Sequence, residues 1–163
     1  MAQVQQQPYL LRCSVCYQWN FPVFFKPLIL PILALVTLTF GVWVYMYVRR
    51  IGEMRRKRID AQQLDTREHA QGLLTDSSVV ADNLKNLFEM PVLFYAALLL
   101  AMVLMIQDVL LVQLSWAFVV LRFIHSLVHC TYNRVMHRFS AYVVSSILLM
   151  LIWARIAGYV LSN

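Results

Sequence analysis

Charge is scarce in this chain. Acidic and basic residues make up only 13% of its 163 residues, and glycine occurs 4 times, proline 5 times and cysteine 3 times, against 61% hydrophobic residues. So low a charge content excludes an ordinary soluble domain and is the profile of an integral membrane protein. Internal repeats and low-complexity segments are also lacking. Met1 to Gln7 is polar, without the basic start and apolar core of a cleavable signal peptide. Cys13 and Cys16 form a lone C-x-x-C with no second pair or neighbouring histidine, and Cys130 falls inside an apolar run. That set is too small for a zinc site. On the outer face of a bacterial inner membrane, Cys13 and Cys16 are placed to form a disulfide.

What the chain has is four long apolar runs, at about 27–48, 79–105, 110–133 and 140–161, each near the roughly 20 residues that cross a bilayer as a helix. The expected fold is an all-α integral membrane protein, a four-helix bundle in one domain over 27–163. Residues 1–26 precede it as an interfacial segment, rich in Tyr9, Tyr17, Trp19, Phe21, Phe24 and Phe25 and broken by Pro8 and Pro22.

A net charge of +6 would suit nucleic acid, but its placement argues against that partner. Arg49, Arg50, Arg55, Arg56, Lys57 and Arg58 follow the first run directly, and Arg134 and Arg138 lie after the third. The turn from Ile106 to Leu111 and the C-terminus carry no basic side chain. Positive loops stay cytoplasmic, which places both termini on the non-cytoplasmic side and lets the basic cluster meet anionic headgroups. In the loop over 49–78, Ile51 to Gln71 reads as an extension of the first helix or a surface helix. Gly72 reads as a helix stop, and Thr75 to Ser78 as the cap of the second span. Ser140 is placed to cap the fourth.

Polar residues inside the runs carry the functional content. Asp82, Asn86 and Glu89 are spaced by four and three, so they share a helix face. Glu89 sits about ten residues from the cytoplasmic end, roughly 15 Å deep. Arg122, His125, His129 and Asn133 share a face of the third span. Antiparallel packing of these spans would pair Glu89 with Arg122 and set Asn86 beside His125 and His129. Such a stripe can simply hold helices together. It can equally floor a cationic cleft, rimmed by Arg134, His137 and Arg138, that takes an anionic ligand. His125 and His129 offer two metal donors, but no further ligand set accompanies them.

At these residues the chain resembles the family of membrane-associated proteins in eicosanoid and glutathione metabolism (MAPEG), and its bacterial members in particular. The likeness is carried by Asn86-Leu87-Phe88-Glu89-Met90-Pro91, by Arg122-x-x-His125, and by the Arg134/Arg138 turn. It implies a homotrimer in the bilayer that binds glutathione between protomers. Asn86, Glu89, Arg122, His125, His129 and Lys85 would form the binding set, and Arg138, with Arg134 next, would stabilise the thiolate. The implied activity is a transferase or peroxidase acting on a lipophilic electrophile. Two positions depart from the family pattern: Asp82 stands where some members have arginine, with Lys85 near enough to supply the charge, and His129 stands where the eicosanoid enzymes have tyrosine. These departures keep open a non-catalytic subunit or scaffold, or a carrier of another small anion.

Overall fold

A computed structural model describes residues 26–162. The interfacial segment expected before Lys26, with Cys13 and Cys16, lies outside the described residues. Helix α1 spans Lys26–Lys57. A 3-10 turn at Ala61–Leu64 and a short α2 at Arg67–Leu73 lead into α3, Thr75–Val103. Helices α4, Val109–Cys130, and α5, Val135–Ser162, complete the bundle. Four of these, α1, α3, α4 and α5, are long and apolar enough to cross a membrane. Each turns an exposed apolar face outward, for example Leu33 and Phe40 on α1 or Ile147 and Met150 on α5. The chain is an all-α membrane bundle.

The helix ends differ from the sequence expectations in instructive ways. At 1.5 Å per residue, the 32 residues of α1 reach about 48 Å, well beyond a hydrocarbon core of roughly 30 Å. Its last turns, with the arginines from Arg49 onward, therefore project past the membrane. Gly72, expected as a stop, lies inside α2. Ser140, expected as a cap, lies inside α5, where its hydroxyl donates to the Met136 carbonyl at 2.9 Å. Among the described residues no glycine has positive φ; Arg58, Met105 and Asn133 take the left-handed region instead, at 54°, 51° and 45°. Thr75 to Ser78 do not cap α3 by themselves, since the N-cap residue Leu74 offers no side-chain bond. The cap comes from α1. Glu53 accepts from the backbone N–H of Asp76 (3.0 Å) and Ser77 (2.9 Å), and from the Ser77 hydroxyl (2.8 Å). These are the donors that a local N-cap residue would satisfy.

The interior divides into a dry half and a polar half. In the dry half, Leu35, Phe94, Leu98, Phe118, Leu149 and Ile152 form one apolar cluster. Phe94 and Phe118 stack with centroids 4.6 Å apart. Toward the basic end, α3 and α4 are joined by polar contacts: the Ser126 hydroxyl donates to Asn83 Oδ1 (3.3 Å), and Asn83 Nδ2 donates to the Cys130 thiol (3.3 Å). Asn83 is fully buried. Asn83→Ala removes both links and strands the Ser126 hydroxyl, and is expected to cost about 0.5–2 kcal/mol. Thermal unfolding in detergent reads this directly; an unchanged midpoint would mean that the bridge contributes nothing.

Candidate functional site

A cavity of about 380 Å³ opens in the polar half, lined by Asp82, Lys85, Asn86 and Glu89 of α3, His125 and His129 of α4, and Val135, Arg138, Phe139 and Tyr142 of α5. Its size falls in the range of roughly 300–1,000 Å³ that small-molecule sites occupy. The four α3 residues reach it because spacings of three and four put them on one helix face. That face is not the one α3 packs with: Ser77, Val80, Asn83, Leu87 and Phe94 are buried against the bundle, while Asp82, Lys85 and Glu89 are exposed on the single chain. Asp82 and Lys85 are ion-paired at 2.7 Å at the mouth.

Helix α4 presents Arg122, His125 and His129 inward, all buried. The expected Glu89–Arg122 ion pair is not formed, and no ion pair to Arg122 occurs among the described residues. The guanidinium lies between two aromatic rings, 5.0 Å from the Tyr142 centroid and 5.4 Å from that of Phe118. The reason is packing. Helix α4 lies chiefly against α5 and touches α3 much less, so the arginine turns to a ring on α5 and one on its own helix. Phe118 belongs to the apolar cluster, so Arg122 sits where the dry half ends. Its Nε, Nη1 and Nη2 have no hydrogen-bond partner among the described residues. The expected Asn86–histidine bonds are likewise absent there; Asn83, one turn earlier, makes the link to α4.

The histidines are held by Arg138 instead. His125 Nδ1 lies 3.0 Å from the Arg138 carbonyl oxygen. A carbonyl only accepts, so this nitrogen carries a proton. His129 Nε2 lies 3.1 Å from Arg138 Nη1. A guanidinium only donates, so His129 accepts through a bare Nε2 and carries its proton on Nδ1. The same Nη1 donates to Asn133 Oδ1 at 2.9 Å. His125 Nε2 and His129 Nδ1 are buried without partners among the described residues.

Of the two arginines expected after α4, the cavity takes Arg138. Arg134 is exposed and lines a separate hollow with Val135, Met136 and His137. Tyr142 is a cavity residue that the sequence reading missed; it lies four residues after Arg138, on the same face of α5. No group of three or more His, Cys, Asp or Glu side chains suited to a metal occurs among the described residues.

Fold and cavity together define a polytopic membrane bundle with a polar pocket built from both acidic and basic side chains of three helices. The model of the MAPEG family matches residues 28–158, well over half of the chain, and the protein belongs to that family. The family includes glutathione transferases and peroxidases, and its members commonly use glutathione. No curated protein and no solved structure matches the chain.

Proposed function

We propose that this protein is a glutathione-dependent membrane transferase or peroxidase acting on a lipophilic electrophile. The observation that carries the reading is the cavity into which Lys85, Asn86, Glu89, His125, His129 and Arg138 converge, taken with family membership. The residues fit a zwitterionic, carboxylate-bearing peptide. Arg138 and Lys85 offer cations for carboxylates, Glu89 an acceptor for an ammonium group, and Asn86 an amide for the peptide backbone. Arg122, buried behind them with three unpartnered nitrogens, adds positive potential to the floor. When bound, glutathione supplies the chemistry of a thiolate nucleophile. In this reading Arg138 holds that charge, and the rings of Phe139 and Tyr142, which line the same cavity, offer contact to an apolar electrophile.

The working unit in this reading is a homotrimer in a bacterial inner membrane, with both termini on the non-cytoplasmic side. Supporting it, Glu89 is exposed on the isolated chain while α3 runs through an apolar slab, and a carboxylate there is costly unless another chain or a ligand covers it. The basic end of α1 and the turn after α4 lie at one end of the bundle, as positive loops on the cytoplasmic side require. A stable monomer under detergent crosslinking would count against the assembly. A second reading, a non-catalytic subunit or scaffold, or a carrier of another small anion, is favoured by the Asp82–Lys85 pair, since Asp82 claims the cation at the mouth.

Calorimetric titration of glutathione into the detergent-solubilised protein separates the readings. Saturable binding, weakened about tenfold by Asn86→Ala through loss of its hydrogen bonds, is the expected result. No heat at millimolar glutathione favours the second reading.

A further inference from the structure

Arg138 is half-buried at the start of α5, and a free arginine there would sample many rotamers. Here Nη1 is tethered, with one N–H donated to His129 Nε2 (3.1 Å) and one to Asn133 Oδ1 (2.9 Å). The same turn is fixed from the backbone side, where His125 Nδ1 donates to the Arg138 carbonyl at 3.0 Å. Asn133 is itself fixed: it sits at φ 45°, in the left-handed region that asparagine tolerates, and its N–H closes the end of α4 on the Val128 carbonyl at 2.9 Å. Among the described residues only Nη1 of the Arg138 guanidinium is bonded, which leaves Nε and Nη2 for a ligand.

We propose that His129, together with Asn133, is the positioning residue that aims the Arg138 guanidinium into the cavity, and that it does so only while its imidazole is neutral. The proposal rests on the reading of the cavity as an anion site, and gives that site a regulator. A protonated His129 presents N–H on both nitrogens; Nε2–H would then face Nη1–H, donor against donor and cation against cation. The contact breaks, leaving Asn133 alone to hold the arginine. The charged and titratable groups around His129 come from three helices. Asp82 and Glu89 of α3 favour its protonation and Lys85 opposes it; Arg122 and His125 of α4 and Arg138 of α5 oppose it, and Tyr142 of α5 completes the wall. No α1 residue lines the cavity. Imidazole is a side chain that gains a proton on acidification, so the hold on Arg138 is released as a compartment acidifies.

The test has two arms on the full-length protein in detergent. The first needs no ligand: the nitrogen NMR spectrum of histidine-labelled protein near neutral pH. A single neutral His129 tautomer, protonated on Nδ1, is expected, with Arg138→Ala releasing it to a mixture. A proton on Nε2, or a spectrum unchanged in Arg138→Ala, overturns the clamp. The second arm is glutathione affinity by calorimetry between about pH 5 and 8. Wild type is expected to weaken below the His129 titration, with a slope of at most about tenfold per pH unit and no further than the affinity of Arg138→Ala. In His129→Gln, whose amide oxygen accepts but does not titrate, that acid limb should vanish. Asn133→Gly, which keeps the left-handed backbone, should weaken binding a few-fold yet retain the limb. An identical acid limb in His129→Gln overturns the proposal. Absence of glutathione binding to wild type at every pH overturns the glutathione reading instead, and the NMR arm still decides the clamp.

Discussion

Glu53→Ala is expected to produce a large loss of stability from a site outside the cavity. The Glu53 side chain is 2% exposed and accepts four bonds, from Lys57 Nζ (2.6 Å), the Asp76 and Ser77 N–H groups and the Ser77 hydroxyl. Its removal strands the first turn of α3 and takes away the buried carboxylate link between α1 and that turn. Breaking a wholly buried pair costs about 3–5 kcal/mol; with Lys57 34% exposed and still bonded to the Leu73 carbonyl and the Thr75 hydroxyl, about 2–4 kcal/mol is expected here. Glu53→Gln keeps acceptor oxygen but loses the charge, and should fall between. The pH dependence has a defined sign. The carboxyl lies beyond the membrane, in the projecting turns of α1. Burial pushes it up, but the bonds from Lys57, Asp76 and Ser77 overcome this and hold it at about 2, below the ordinary 4.5. A depressed carboxylate contributes stability that is complete above its unfolded value and is lost as pH falls from about 4.5 toward 2. The difference in melting midpoint between wild type and Glu53→Gln should therefore shrink across that window. A midpoint unchanged at pH 7 in Glu53→Ala would mean that α3 caps itself.

Why this contact escapes a reading of the sequence is instructive. Glu53 stands 24 residues from Ser77, amid arginines that look like a solvated helix face, and nothing in local spacing says that a foreign carboxylate supplies the cap. The four apolar helices were legible because hydropathy over some twenty residues is a local sum. The shared face of Asp82, Asn86 and Glu89 was legible because helical period is local too. What the period does not say is which face packs. The three residues line the cavity, but the link to α4 falls to Asn83, on the face that Val80, Leu87 and Phe94 bury. Arg122 was recognisable as a charge at depth, yet its partners are Phe118 and Tyr142, since contact between α4 and α5 outweighs contact between α3 and α4. Helix ends were the least legible part: Arg58, Met105 and Asn133 occupy backbone conformations for which glycine is the usual marker.

If the protein is the glutathione enzyme proposed above, Arg138→Ala is expected to lower its turnover by about 10²–10³, the usual effect of deleting one preorganised donor from a site of developing negative charge. Both hydrogens of Nη1 are committed to His129 and Asn133, so Arg138 is oriented before any ligand arrives, and a group oriented in advance need not reorganise as the reaction proceeds. Its contribution should therefore appear more in kcat than in affinity, because Lys85, Asn86 and Glu89 remain in the cavity to bind the peptide. Arg138→Lys is a sharper variant. It keeps the charge but has a single donor centre in place of a planar fork, so holding both His129 and Asn133 leaves little for the ligand; turnover should recover only in part while affinity returns close to wild type. The measurement is steady-state kinetics with glutathione against a panel of apolar electrophiles and a lipid hydroperoxide, each variant checked for intact folding by its melting midpoint. If Arg138→Ala lowers affinity and turnover by the same factor, the arginine is a binding group alone. If wild type turns over none of the panel while glutathione still binds and Arg138→Ala still weakens it, the cavity is that of a carrier, and the preorganised arginine serves capture.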